Sequence, residues 1–397
     1  MYRIVLISIS LLIIALFACN SSRSGAQEPR PQDVPRIVYE IYPDAWYQEQ
    51  AILWKKEIEK NPSDAKAWYN YYNANRYRRF EQVEQDKRKN KLDDIIDQMG
   101  NAVPDSYEYY LLKYWNNYDP HDIRLIRKAY KINPNRPDTY YPFILHYTLY
   151  DKADSLTMFC QKLYEKKDFA PWLLNYNYNV LMSVESDAIL FSNGDNDTYP
   201  AWILQQVKNI RPDVTVLNIS LLPTKQYFDG QISVHGLKLN YEALKEEAKM
   251  SGTFSRERFL RAVISNLQVK YPETPLYFGL TVYNDYTKSF KNDLYLVGLS
   301  YRLSSVQMDN MAVLKRNLEK RLRLDYLDLR FYDEHFPGKN LSRRMELNYV
   351  APMIMLSEHY RLSGDASAAN YWKKRAMQIA ERAGKKELVE NIQKNKE

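Results

Sequence analysis

The segment that most restricts the fold is residues 187–222, "DAILFSNGDNDTYPAWILQQVKNIRPDVTVLNISLL". It opens on an apolar run at 188–191 and passes through the polar loop 193–198. A helix-like stretch, "YPAWILQQVKNI", follows, and the segment closes on the β-branched run 214–219. Two uniformly apolar strands joined through a helix must lie parallel, with both sheet faces covered. The run 274–282, "TPLYFGLTV", predicts another buried strand, and 299–303 predicts an edge strand. Residues 242–249 and 256–270 predict helices. A small, mostly parallel, Rossmann-like α/β domain over 185–305 follows, with helices on both faces.

Helices dominate the flanks. Eleven Gly against 35 Tyr and 7 Trp argue against a turn-rich propeller. Helical spacing of apolar and aromatic residues runs through 39–184. Tetratricopeptide-like hairpins account for it: Pro62 precedes Trp68 by six residues, and Pro134 precedes Tyr140 by six. The clearest unit lies near the C-terminus, where Leu356, Tyr360, Ala369 and Ala376 take the pattern's conserved-size positions around a turn at Gly364. Small residues there let paired helices approach closely. The fold class expected is therefore α+α/β, with tetratricopeptide-like helical domains at 39–184 and 306–397 flanking the α/β domain.

The N-terminus gives an address. Residues 1–19 are MYRIVLISISLLIIALFAC, with Arg3 ahead of an uncharged apolar run at 4–18. This run is shorter than the ~20 residues of a comfortable membrane span, so it predicts a cleaved export signal. "LFAC" resembles a lipobox, with Cys19 as the acylated residue that joins the protein to the membrane. Residues 20–38 are polar and Pro-containing, which suits a flexible tether. No acid closely follows Cys19, and by resemblance to lipoprotein sorting rules this implies an outer-membrane anchor facing the periplasm.

Composition excludes several functions. The formal net charge of +7 is spread among interspersed acids, without the basic stripe that nucleic-acid binding needs. Two Cys exclude a disulfide scaffold and a cysteine-ligated metal, and five scattered His leave little for a histidine-rich metal centre. Cys160 falls on an apolar helix face, which predicts burial.

The chemically richest segment is Asn193-Gly194-Asp195-Asn196-Asp197-Thr198, at the carboxyl end of a predicted strand and ahead of a helix. Open α/β sheets bind ligands at that edge. Asp195 and Asp197 can share a hard cation such as Mg²⁺ or Ca²⁺, and Asp285, after the strand ending near Val282, is a candidate third carboxylate. Asn193, Asn196 and Thr198 complete the candidate ligand set, with His235 a weaker candidate base. Equally, Asn and Asp close turns and cap helices, with Asp197 or Thr198 as the cap and Pro200 near the first turn. The haloacid-dehalogenase and calcineurin-like phosphatase patterns each lack required residues here. No nucleophile–base pair or Gly-rich phosphate loop is present, so no catalytic residue is assigned. Tyr-rich segments such as 68–72 and 107–115 suit sugar stacking, but at helical spacing they suit core packing better.

The same segment carries a resemblance. Asn193 to Thr198, then Arg211, Asp213, Val214, Asn218, Ser220, Leu221 and Leu222, together with "TPLYFGLTV" and "LVGLSYRL", resemble the soluble C-terminal region of Bacteroidota multi-pass protein O-mannosyltransferase-like membrane proteins. The resemblance spans roughly 185–380 and implies an accessory domain in an envelope setting. Transferase activity does not carry over, because the transmembrane array expected to perform it has no counterpart here. The resulting expectation is a non-enzymatic scaffold or accessory subunit of a glycosylation, secretion or outer-membrane assembly complex, holding envelope proteins on its helical-repeat surfaces and needing no cofactor. The alternative is a glycan- or metal-dependent binding protein or enzyme using the Asp195/Asp197 loop.

Overall fold

The computed structural model describes residues 29–78, 85–234, 236–328 and 338–394. The lipidation site Cys19 and the candidate base His235 lie outside the described residues.

The chain is mostly helical around one small sheet, as the expected α+α/β class requires. In the first half, α1 (Asp44–Lys60) and α2 (Ala65–Tyr77) form a hairpin. Then follow α3 (Gln85–Ala102), α4 (Tyr107–Asn116), α5 (Arg124–Ile132), α6 (Tyr140–Leu149), α7 (Ala153–Glu165) and α8 (Pro171–Met182). The six-residue spacing seen in the sequence has a physical cause. Trp68 donates its indole N–H to the Pro62 carbonyl at 2.8 Å, and Tyr140 donates its hydroxyl to the Pro134 carbonyl at 2.7 Å. In both hairpins a large aromatic thus satisfies a carbonyl in the turn before its helix. Cys160 on α7 is buried, and desolvation pushes its thiol up to about 12.

The sheet order is β2-β1-β5-β7-β6, formed by β1 (Ile189–Ser192), β2 (Thr215–Asn218), β5 (Leu276–Gly279), β6 (Leu294–Leu296) and β7 (Ser300–Leu303). A separate hairpin pairs β3 (Lys249–Met250) with β4 (Thr253–Phe254). β1 pairs in parallel with β2 and β5, and β7 runs antiparallel to both β5 and β6. Four of the five strands therefore share one direction. Every residue of β1, β2 and β5 is buried, which explains their uninterrupted apolar sequence. The expectation of an edge strand at 299–303 is corrected: β7 is internal, and the edge is β6, whose Leu-Tyr-Leu is too short to register as a strand.

Between the strands lie α9 (Asp195–Lys208), α10 (Lys225–Val234), α11 (Tyr241–Glu247), α12 (Arg256–Lys270) and the short α13 (Asn284–Thr287). After the sheet come α14 (Asn310–Arg316), α15 (Lys339–Glu346), α16 (Val350–Leu362), α17 (Ala366–Arg382) and α18 (Lys386–Lys394). α16 and α17 form the anticipated hairpin: Leu356, Ala369 and Ala376 are buried between them, and Gly364 takes φ +84° in the turn.

The hydrophobic core divides elsewhere than the change from helix to strand near 184. One cluster joins α1 to α3 with Leu112, and a second runs without a break from Tyr107 through the sheet to Ile392. The expectation of a tether through residue 38 is corrected for the described residues 29–38. Residues 29–38 pack as a strap on the first hairpin: Val34 is buried and donates its N–H to Asn70 Oδ1 at 2.7 Å, and Trp54 donates to the Gln32 carbonyl at 2.8 Å. Buried apolar surface and side-chain acceptors hold this stretch, which composition alone marks as loose.

Candidate functional site

The 193–198 loop leaves β1 at the carboxyl edge of the sheet and becomes the first turn of α9. Gly194 is the N-cap, in extended backbone, and no side chain caps the helix from that position. The polar residues behind it divide sharply by role. Asp197, at the third helical position, reaches back to accept from the Gly194 N–H and also from the Thr281 hydroxyl. This is half of a capping box. Burial pushes its carboxyl up to about 6, against those two hydrogen bonds. Thr198 shares a hydrogen bond with Ser192 at 2.8 Å and accepts from Asn218 Nδ2 at 2.9 Å, joining the ends of β1 and β2. Asn196 donates to the Val38 carbonyl at 3.0 Å and so fastens the strap to the sheet edge. Asn193 is half-buried beside it. Of the motif's polar side chains, those of Asn196, Asp197 and Thr198 thus hold the fold.

Asp195 differs. Its carboxylate makes no hydrogen bond among the described residues and lines a cavity of about 100 Å³ between the loop, the strap and helices α2 and α4. Asp195 is solvent-exposed at the edge of that cavity, with protein crowding the carboxylate from the other side. Desolvation accordingly raises its carboxyl, opposed by the positive charges of Arg36 and Arg76. An unpaired carboxylate at the mouth of an aromatic-lined hollow has the character of a binding group.

Helix α2 supplies the facing wall. Tyr69, Asn73, Arg76 and Tyr77 recur at helical spacing and all line the cavity. Asn73 is 2% exposed, yet its amide has no partner among the described residues. The Arg76 guanidinium lies 5.5 Å from the Trp115 ring centroid and 5.7 Å from that of Tyr77, and it makes no ion pair among the described residues. Arg36, in contrast, has an acid beside it: it sits 4.0 Å over the Tyr141 ring and 3.9 Å from Asp168 Oδ2, while its buried Nη1 has no hydrogen-bond partner among the described residues. Tyr39 donates to that same oxygen at 2.5 Å, and the Tyr141 hydroxyl is a second donor to it. Behind Asp195, the buried Tyr114 hydroxyl has no partner and sits close enough to Tyr199 to affect its ionisation, as Asp195 does.

The other sequence candidates lie apart. Asp285 is exposed, pairs with Lys288 at 2.9 Å and faces Glu257 at the start of α12. Among the described residues no three His, Cys, Asp or Glu side chains converge to hold a metal; Asp197 is turned to Gly194 and Thr281, so Asp195 and Asp197 do not form a shared cation site with Asp285. The cavity residues Arg36, Asn73 and Arg76 escaped sequence analysis. The signal of Asn73 and Arg76 was present as one polar face within "WYNYYNANRY", but nothing local says that a loop about 120 residues later closes over it.

Residues 173–235 match the family model described as TMEM260-associated domain 2. The match starts inside α8 and runs through β1, the 193–198 loop, α9 and β2 to α10, and it covers a minor part of the chain. It therefore includes Asp195 but none of the α2 wall. No curated protein matches the chain. Among the described residues no helix is long and apolar enough to cross a membrane.

Proposed function

We propose that this chain is a lipid-anchored accessory protein of the bacterial envelope that binds its ligand or partner in the cleft between the first helical hairpins and the α/β module, without making or breaking bonds. The observation that carries this reading is the opposition of Asp195 and Arg76, each without a hydrogen-bonded or ionic partner among the described residues, across an aromatic-lined cavity. Binding is favoured over catalysis because Asn196, Asp197 and Thr198 are occupied in holding the fold. The resemblance to O-mannosyltransferase-like proteins supports a place beside an envelope glycosylation, secretion or outer-membrane assembly complex, with Cys19 as the anchor in the outer membrane, periplasm-facing.

The test compares wild type with Asp195→Asn, both purified from native membranes, by mass spectrometry of co-purifying proteins and small molecules. The reading expects at least one stoichiometric companion of the wild type to be lost from the variant at unchanged thermal stability. Equal recovery by both proteins, or no companion at all, overturns it. Intact-mass measurement checks the acyl chains on Cys19.

A further inference from the structure

We infer that the cavity takes an overall neutral ligand with opposite charges at its two ends, an α-amino-acid head group, whose carboxylate meets Arg76 and whose ammonium meets Asp195. This rests on the cleft being the binding site and specifies its chemistry.

Charge accounting leads there. Four charged side chains line the cavity: Arg36, Arg76, Asp138 and Asp195. Two have counter-charges beside them. Arg36 lies 3.9 Å from Asp168, with its Nη1 left without a hydrogen-bond partner among the described residues, and Asp138 shares Arg136, at 3.3 Å, with Glu108 and accepts from Tyr107 at 3.4 Å. The remaining cation and anion stand on different elements, α2 and the first turn of α9. Arg36 first and then Arg76 favour the ionised Asp195, and neither forms an ion pair with it among the described residues. A purely anionic ligand would satisfy Arg76 but bring its charge against Asp195, and a purely cationic one would do the reverse. A zwitterion satisfies both. Asn73 lies between them on the α2 face with both amide functions unused, so it can donate to a carboxylate and accept from an ammonium.

Size agrees. A cavity of about 100 Å³ has room for a small head group. The cavity continues through Ile37, Arg76, Tyr77 and Trp115 into an open groove of about 720 Å³. The head group can therefore belong either to a free amino acid or to the tip of a longer chain that leaves by the groove, such as the amino-carboxylate end of diaminopimelate in a cell-wall peptide.

Isothermal titration calorimetry on the full chain tests this with L-alanine, D-alanine and meso-diaminopimelate as probes. Acetate and methylammonium serve as single-charge controls, and a panel of neutral monosaccharides as the competing chemistry. At least one zwitterion is expected to bind about tenfold or more tighter than either control. Arg76→Gln should remove its advantage over methylammonium, and Asp195→Asn its advantage over acetate. Asn73→Ala, which leaves both charges in place, should weaken the zwitterion about tenfold and the controls much less. Preference for diaminopimelate over alanine points to a chain end, and equal binding to the free amino acid. The inference is overturned if acetate binds as tightly as every zwitterion. It is overturned as well if no zwitterion binds while a monosaccharide binds in an Asp195-dependent way, an outcome that leaves the cleft as the site. If Asp195→Asn changes the binding of nothing that the wild type takes up, both fail together.

Discussion

The side-chain amide of Asn177 donates at 2.8 Å to the backbone carbonyl of Asn196. Pro200, inside α9, has no N–H to give the carbonyl four residues before it, and Asn177 on α8 supplies the missing donor. The proline is thus tolerated one and a half turns into the helix because a neighbouring helix repairs the ladder. The same bond locks α8 to the turn that presents Asp195.

Asn177→Ala should therefore destabilise the chain by about 1–3 kcal/mol, the cost of leaving a buried carbonyl unpaired. In a Pro200→Ala background the backbone donor returns and the cost should fall by at least about 1 kcal/mol. Urea melts of the four proteins in a double-mutant cycle measure this coupling.

Arg211 closes the other end of α8. With φ +51°, it donates from Nη1 to the carbonyls of Leu181 and Val184 and from Nη2 to that of Glu185, while Asp213 accepts from Nε and Nη2. One planar fork satisfies three orphan carbonyls of a helix end. Arg211→Lys keeps the charge and loses the fork, so a loss of about 2–3 kcal/mol is expected, with exchange protection falling first at the C-terminus of α8.

Asp197 makes stability depend on pH. Its carboxyl is held at about 6 in the fold against an ordinary 3.8, chiefly by desolvation. Between those values the folded chain keeps a proton that the unfolded chain has released, so stability falls as pH rises from about 4 to about 6 and then levels. The full effect is about 3 kcal/mol. Asp197→Asn should remove this slope. Glu346, pushed up to about 7 by burial, keeps a similar slope of its own in the variant. The measurement is the difference in unfolding free energy between the two proteins from pH 4 to pH 8, which should change below pH 6 and stay flat above it.

Gly298 lies in the "LVGLSYRL" segment with φ +145°, and a Cβ there would stand 2.7 Å from Ser183 Oγ. That hydroxyl is committed, accepting from the Leu299 N–H and donating to the Asn179 carbonyl. Gly298→Ala should cost on the order of 2–4 kcal/mol from backbone strain and the clash together. Combining it with Ser183→Gly should recover only the part due to the clash, as thermal melts would show.

Much of the architecture was legible because its signals are local. Uniform apolar runs mark β1, β2 and β5, and the spacing of residues 256–270 gives α12 at its observed bounds. The Pro62–Trp68 and Pro134–Tyr140 spacings persist because each encodes a hydrogen bond within one turn. β6 was missed because three residues carry no period, and the strap because its burial depends on Asn70 and Trp54 of the first hairpin.

The candidate loop was legible as a location and illegible as a set of roles. Sequence alone determined that a polar turn would stand at the carboxyl edge of a buried parallel strand, since periodicity and strand burial act over a few residues. Only the tertiary structure decided that Asp197 and Thr198 would be consumed by Thr281, Ser192 and Asn218, and that Asp195 would be left facing Arg76 and Asn73. Which carboxylate stays unpaired depends on the direction each side chain takes from a helix turn and on what distant segments bring against it.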